Sequence, residues 1–226
     1  PPEGVRPDIF DPDRRVSLPG DKHMTGYRYL AFDLATGERH DADYSLCPVF
    51  YPPYIGAVAS GLCWWGPDSR QAYFIDCSDG GKTARLIACD TNSGAIEILI
   101  EETAKTLVNL IPHTHQAVLS QSLPSGDELI WYSERSGWAH LYLYDLKTGE
   151  LKHSITQGEW VVRKLLHIDE ERRELIIQTS GHVVDRNPYY LDICRVNIDT
   201  GELTALLSSD DEYWLCDART WGPGLS

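Results

Sequence analysis

Two histidines stand two residues apart in Pro112-His113-Thr114-His115, the spacing at which a β-strand puts both imidazoles on one face where they could share a metal ion. No third ligand accompanies them, so the expectation is ordinary polar residues of a loop, and no metal site is assigned. A nucleophilic serine would need a Gly-x-Ser-x-Gly elbow between a strand and a helix. No serine stands in that pattern; the nearest, Asn92-Ser93-Gly94 and Pro124-Ser125-Gly126, read as hairpin turns. His140 lies in an apolar strand two residues after Trp138 and reads as a core histidine bonded between structural units, not as a general base. No catalytic residue and no cofactor are therefore expected, and no substrate-binding residue is assigned.

The remaining reactive and aromatic residues point to packing. Cys47, Cys63, Cys77, Cys89, Cys194 and Cys216 form no C-x-x-C pair, and most sit in apolar runs, as in Ala88-Cys89-Asp90 and Ile193-Cys194-Arg195. They read as buried thiols acting as small hydrophobes, with one or two disulfides left open for an exported protein. The seven Trp and twelve Tyr could form a carbohydrate or peptide platform, but positions such as Trp64, Trp65, Trp131 and Tyr132 suggest packing inside strands. Arg186-Asn187-Pro188-Tyr189-Tyr190 reads as an exposed insertion that could line an opening or contact another domain.

These residues must be positioned by 226 residues with 42% apolar content, ample for a globular core. The formal net charge of −14 disfavours nucleic acid and anionic membrane as partners. The acidic residues are scattered and read as a solvated surface. No run of apolar residues is long enough to cross a membrane as a helix. Pro1-Pro2-Glu3-Gly4 lacks a charged n-region and an apolar h-region, and no initiator Met stands at position 1, so no compartment is read from this end.

An internal repeat organises the chain. Tyr29 to Glu38, Leu86 to Ala95, Leu141 to Glu150 and Ile193 to Glu202 each run an apolar strand into Asp or Asn, then a turn closed by glycine. The turn glycines Gly37, Gly94, Gly149 and Gly201 recur every 52 to 57 residues. Asp or Asn can cap such a turn with its own side chain, and glycine takes the positive-φ position. A second hairpin precedes each of the last three copies: Gly61–Trp65 with Gln71–Asp76, Val118–Gln121 with Leu129–Ser133, and Leu165–Ile168 with Leu175–Thr179. Four antiparallel strands in roughly 50 residues mark a propeller blade. The expectation is an all-β chain of about four four-stranded blades, at roughly 26–58, 59–104, 115–160 and 161–208, with 209–226 opening a further blade. Residues 101–110 could form a short helix or a loop. A helical solenoid is excluded.

Trp131 to Asp145, WYSERSGWAHLYLYD, resembles the W-x-S-E-R-x-G-x-x-H-L-Y-x-Y-D stretch of dipeptidyl-peptidase-IV-like serine peptidases, in the prolyl oligopeptidase family. Ile155 to Val162 (ITQGEWVV) is similar to the segment that follows it, and Trp64 with Gly66-Pro67-Asp68 is similar to the turn of the preceding blade. The resemblance runs from about Tyr27 to Tyr213. It implies part of a seven- or eight-bladed propeller that admits and orients peptides above an α/β-hydrolase domain, which releases dipeptides. It also implies an acidic pair that holds the substrate's free N-terminus. Glu101-Glu102 is an adjacent pair, but it directly follows Ile98-Leu99-Ile100 and is expected to be solvated at a strand end.

No hydrolase domain is recognised in these residues. The leading expectation is thus the non-catalytic propeller part of such a peptidase, with peptide substrate and the hydrolase domain as its partners. The rival is a stand-alone propeller that binds a protein or ligand, and a small metalloenzyme using His113 and His115 is third. Half of an eight-bladed ring leaves two blade faces open, to be covered by the rest of the ring or by self-association.

Overall fold

The computed structural model describes residues 26–45, 47–48, 61–78, 81–111, 118–208 and 210. Among them there is no α-helix, and every regular element is an antiparallel strand. The first unit has β1 (Gly26–Tyr27), β2 (Leu30–Phe32), β3 (Arg39–Asp41) and β4 (Cys47–Pro48). β2 pairs with β3 and β1 with β4, so these four pieces make one hairpin whose register slips between its two halves. The second unit is β5 (Cys63–Trp65), β6 (Gln71–Ser78), β7 (Thr83–Asp90) and β8 (Ile96–Thr103). The third is β9 (Gln121–Ser122), β10 (Glu128–Ser133), β11 (His140–Asp145) and β12 (Leu151–Ser154). The fourth is β13 (Val161–Asp169), β14 (Glu174–Ser180), β15 (Leu191–Asn197) and β16 (Leu203–Leu207). Each of the last three is a meander with strands in sequential order. Among the described residues the array is a partial propeller whose ring is not closed.

The repeated turn is built alike in all four units. Oδ1 of Asp33, Asp90, Asp145 and Asn197 accepts hydrogen bonds from the backbone N–H groups two and three residues on, at 2.7–3.1 Å. These N–H contacts hold the Asp33, Asp90 and Asp145 carboxyls below their ordinary range, the Asp90 site being led by the Ser93 side chain and backbone. The closing glycines have φ between 71° and 75°, a region costly for residues with a Cβ. They also seat one unit on the next. A Cβ at Gly94 would overlap the Asp41 carbonyl, one at Gly149 the Leu99 carbonyl, and one at Gly201 would lie 2.9 Å from the Ile155 carbonyl. Nothing described lies within 4 Å of that position at Gly37.

Strand alternation divides the core into seams, because successive residues point to opposite faces of a blade. Tyr73, Ile75, Leu86 and Ala88 meet Leu129, Trp131, Tyr142 and Tyr144 between the second and third units. The other face of the third unit sends Ile130, Tyr132, Leu141 and Leu143 against Leu175, Ile177, Cys194 and Val196. Phe74 and Ile87 face the first unit, where Tyr29 stacks on Phe74 at 4.2 Å. Each fully buried large side chain contributes about 1.5–3 kcal/mol, so these apolar seams dominate cohesion between blades.

Residues 101–110 form neither a helix nor a simple loop. Glu101–Thr103 extends β8, because the eight-residue β7 still offers backbone partners there; irregular chain follows, anchored by the buried Val108 and Leu110.

Candidate functional site

Trp131, Ser133 and Arg135 lie at positions i, i+2 and i+4 from β10 into its turn, so their side chains fall on one side of the strand. All three donate to one acceptor on the neighbouring blade, the carboxylate of Glu102. Trp131 Nε1 lies 2.7 Å from Oε2, Arg135 Nη2 lies 2.6 Å from Oε2, and the Ser133 hydroxyl bonds Oε1. Trp131 and Ser133 are fully buried, and the Glu102 side chain is 11% exposed. Arg135 is held in turn by the β11 aromatics: Nη1 donates to the Tyr144 hydroxyl at 2.7 Å, and the guanidinium stands 4.6 Å above the Tyr142 ring. Glu134, between these donors, faces outward and accepts from Asn109 Nδ2.

This corrects the expectation of two solvated carboxylates. Glu101 is half-exposed and pairs with Arg85 at 2.6 Å, whereas Glu102 is enclosed. Alternation along β8 sends the two side chains to opposite faces. The sequence did carry a signal, since three donors on one face of a buried strand demand an acceptor.

His140 on β11, paired across from Ser133, ties the third blade to the chain that leads from it toward β13. Leu141 N–H donates to Thr156 Oγ1 at 3.0 Å, leaving the Thr156 hydroxyl proton for His140 Nδ1, also 3.0 Å away. His140 Nε2 then carries its own proton and donates to the Gly158 carbonyl at 2.9 Å. Burial pushes the His140 pKa down, opposed by the Gly158 bond, so the neutral ring is favoured. Trp160 stands edge-on between His140 and His182, with ring centroids 4.9 and 5.4 Å away.

A third polar cluster joins the third and fourth blades at the opposite end of the strands. Arg173, at φ 56°, bonds Glu128 across the seam and Asp199 within its own blade, while Lys152 also bonds Glu128. Burial would raise the Glu128 carboxyl, but the hydrogen bonds from Arg173 and Lys152 outweigh it and hold it below its ordinary value.

His113, His115 and Cys216 lie outside the described residues. Among the described residues no group of three or more His, Cys, Asp or Glu side chains is arranged to hold a metal ion. Cys63, Cys77, Cys89 and Cys194 are free thiols, and burial pushes Cys77 up to about 12, aided by Asp76. Trp131 and Tyr132 are buried and Trp64 is half-buried, but Trp65 departs from the packing expectation at 57% exposed. In the 186–190 segment, Arg186 is pinned to Asp192 and stands 5.4 Å from the Tyr190 ring, while Tyr189 projects outward, 88% exposed. The structure therefore brings the motif residues together as seam contacts and assembles no nucleophile–base pair from them. No described helix is long and apolar enough to cross a membrane.

The model of the dipeptidyl peptidase IV N-terminal region matches residues 54–219. A probable dipeptidyl peptidase 4 of Emericella nidulans is 34% identical over 140 residues, 58% of this chain and 17% of that protein. A similarly named protein of Aspergillus flavus is 32% identical over 139 residues, 58% of this chain and 16% of that one. The chain thus spans about a sixth of the length of these curated relatives. In fold it is similar to Porphyromonas gingivalis dipeptidyl peptidase 4, with a TM-score of 0.60 at 16% identity over 79% of this chain and 22% of that one. A putative dipeptidyl aminopeptidase IV of Bacteroides ovatus gives 0.56 at 17% identity, over 80% of this chain and 29% of that one. Since the family model spans most of the chain, including all three complete blades, the chain belongs to the dipeptidyl peptidase IV N-terminal region family.

Proposed function

We propose that this chain is the non-catalytic propeller part of a dipeptidyl-peptidase-IV-like serine peptidase, and that it admits and positions peptide substrates for a hydrolase domain. The observation that carries this reading is the use made of the family-like motif. Trp131, Ser133 and Arg135 lock the third blade to Glu102 of the second, Tyr142 and Tyr144 hold Arg135 in place, and His140 ties down the chain that leaves the third blade toward β13. Such a blade array is a rigid wall, and a wall does its work by shaping access to chemistry performed elsewhere. The names of the relatives supply the chemistry, that of a dipeptidyl peptidase, and the motif resemblance implies a substrate with a free N-terminus.

The test is expression of the complete reading frame that contains these 226 codons, assayed for dipeptide release from a peptide with a free N-terminus and from its acetylated copy. Release from the free peptide alone, altered by Glu102→Ala in a protein that remains folded, supports the proposal. A folded product with no dipeptide release would sink it and favour a stand-alone binding propeller.

A further inference from the structure

The first strands of the three complete blades, β5, β9 and β13, converge on one cavity of about 540 Å³. Each is the end strand of its sheet, so among the described residues one backbone edge of each is unpaired. In a chain with a net charge of −14, this wall contains no Asp, Glu, Lys or Arg. Trp65 presents its ring there, 57% exposed, beside Pro67. The side chains of Gln121, Ser122 and His167 also line it, and none makes a hydrogen bond within the described residues. An exposed indole, unpaired strand edges and unused amide, hydroxyl and imidazole groups fit one class of ligand.

We propose that this cavity binds an uncharged, extended peptide segment, with one apolar side chain on Trp65 and backbone amides hydrogen-bonded by Gln121, Ser122 and His167. The volume lies within the roughly 300–1,000 Å³ of ordinary ligand pockets. A wall without Asp, Glu, Lys or Arg offers a charged side chain no permanent counter-ion, so such a side chain would lose hydration there with little compensation. The site goes beyond the access role proposed above. It is read by binding to this chain, without hydrolase activity, so its failure and the failure of the dipeptide-release assay are separate results.

The probe is the blocked peptide acetyl-Gly-Leu-Ser-Leu-Gly-Ser-amide, titrated calorimetrically into the chain, with circular dichroism confirming that each variant is folded. Trp65→Ala is expected to weaken binding about tenfold or more. Because Trp65 also borders a second cavity, beside Leu30 and Phe32, the Gln121→Ala and His167→Ala variants assign the site, each expected to weaken binding about threefold to tenfold. Trp138→Ala, at an exposed aromatic outside the cavity lining, is expected to bind as the parent does. No binding at about 5 mM peptide overturns the proposal. So does equal binding of a copy with both leucines replaced by glutamate, or parental affinity in both Gln121→Ala and His167→Ala.

Discussion

Removing the Glu102 carboxylate tests the account of the seam between the second and third blades most directly. In Glu102→Ala the Trp131 indole N–H and the Ser133 hydroxyl, both on fully buried residues, lose their acceptor. An unsatisfied buried donor costs about 1–3 kcal/mol. Arg135, 30% exposed, keeps its bond to Tyr144 and regains some water, so its share is smaller than that of a fully buried ion. Together these give a loss of about 3–4 kcal/mol, or a fall in melting temperature of roughly 10 °C for a chain of this size. Glu102→Gln keeps one acceptor oxygen and is expected to lose about half as much. The assay is thermal and urea unfolding of both variants, with Arg135→Ala and the double variant completing a cycle. Additive losses in that cycle would refute the Glu102–Arg135 contact, and a cost below about 1 kcal/mol for Glu102→Ala would refute the claim that Glu102 couples the two blades.

Three further outcomes follow from the same geometry. Gly149→Ala forces a methyl group into the Leu99 carbonyl, whereas Gly37→Ala at nearly the same φ meets nothing described. The first is expected to cost at least about 2 kcal/mol more than the second in thermal unfolding, since the left-handed penalty of about 1–2 kcal/mol is common to both. The His140 pKa is depressed on folding, so below about 6.5 the unfolded chain takes up a proton that the folded chain resists. That contribution is present above about 6.5 and lost as pH falls through the lower folded value; unfolding titrations should show this step in the parent and not in His140→Gln. Glu128 is likewise depressed, so its contribution is full above its ordinary value of 4.5 and lost as pH falls through the folded one. Arg173→Ala should flatten that acid limb, and an unchanged limb would argue against the Glu128–Arg173 contact.

The repeat was legible in sequence because each turn is specified by its own residues. Asp145 caps its turn through bonds to Lys147 and Thr148, and Gly149 supplies the φ that closes it, all within five residues. Strand alternation was legible for the same local reason, and from it came the blades. Trp65 departs from the packing expectation because its local pattern resembles that of the half-buried Trp64 and the buried Trp131, whereas its exposure depends on three strands from three blades opening onto one cavity. Glu102 reads as solvated in sequence because a carboxylate at a strand end looks alike whether it meets water or a neighbouring strand. What surrounds it comes from residues about 30 positions away, Trp131, Ser133 and Arg135. Short-range bonding thus wrote the blade into the sequence, while packing between blades decided which polar groups became seam contacts and which remained open to a ligand.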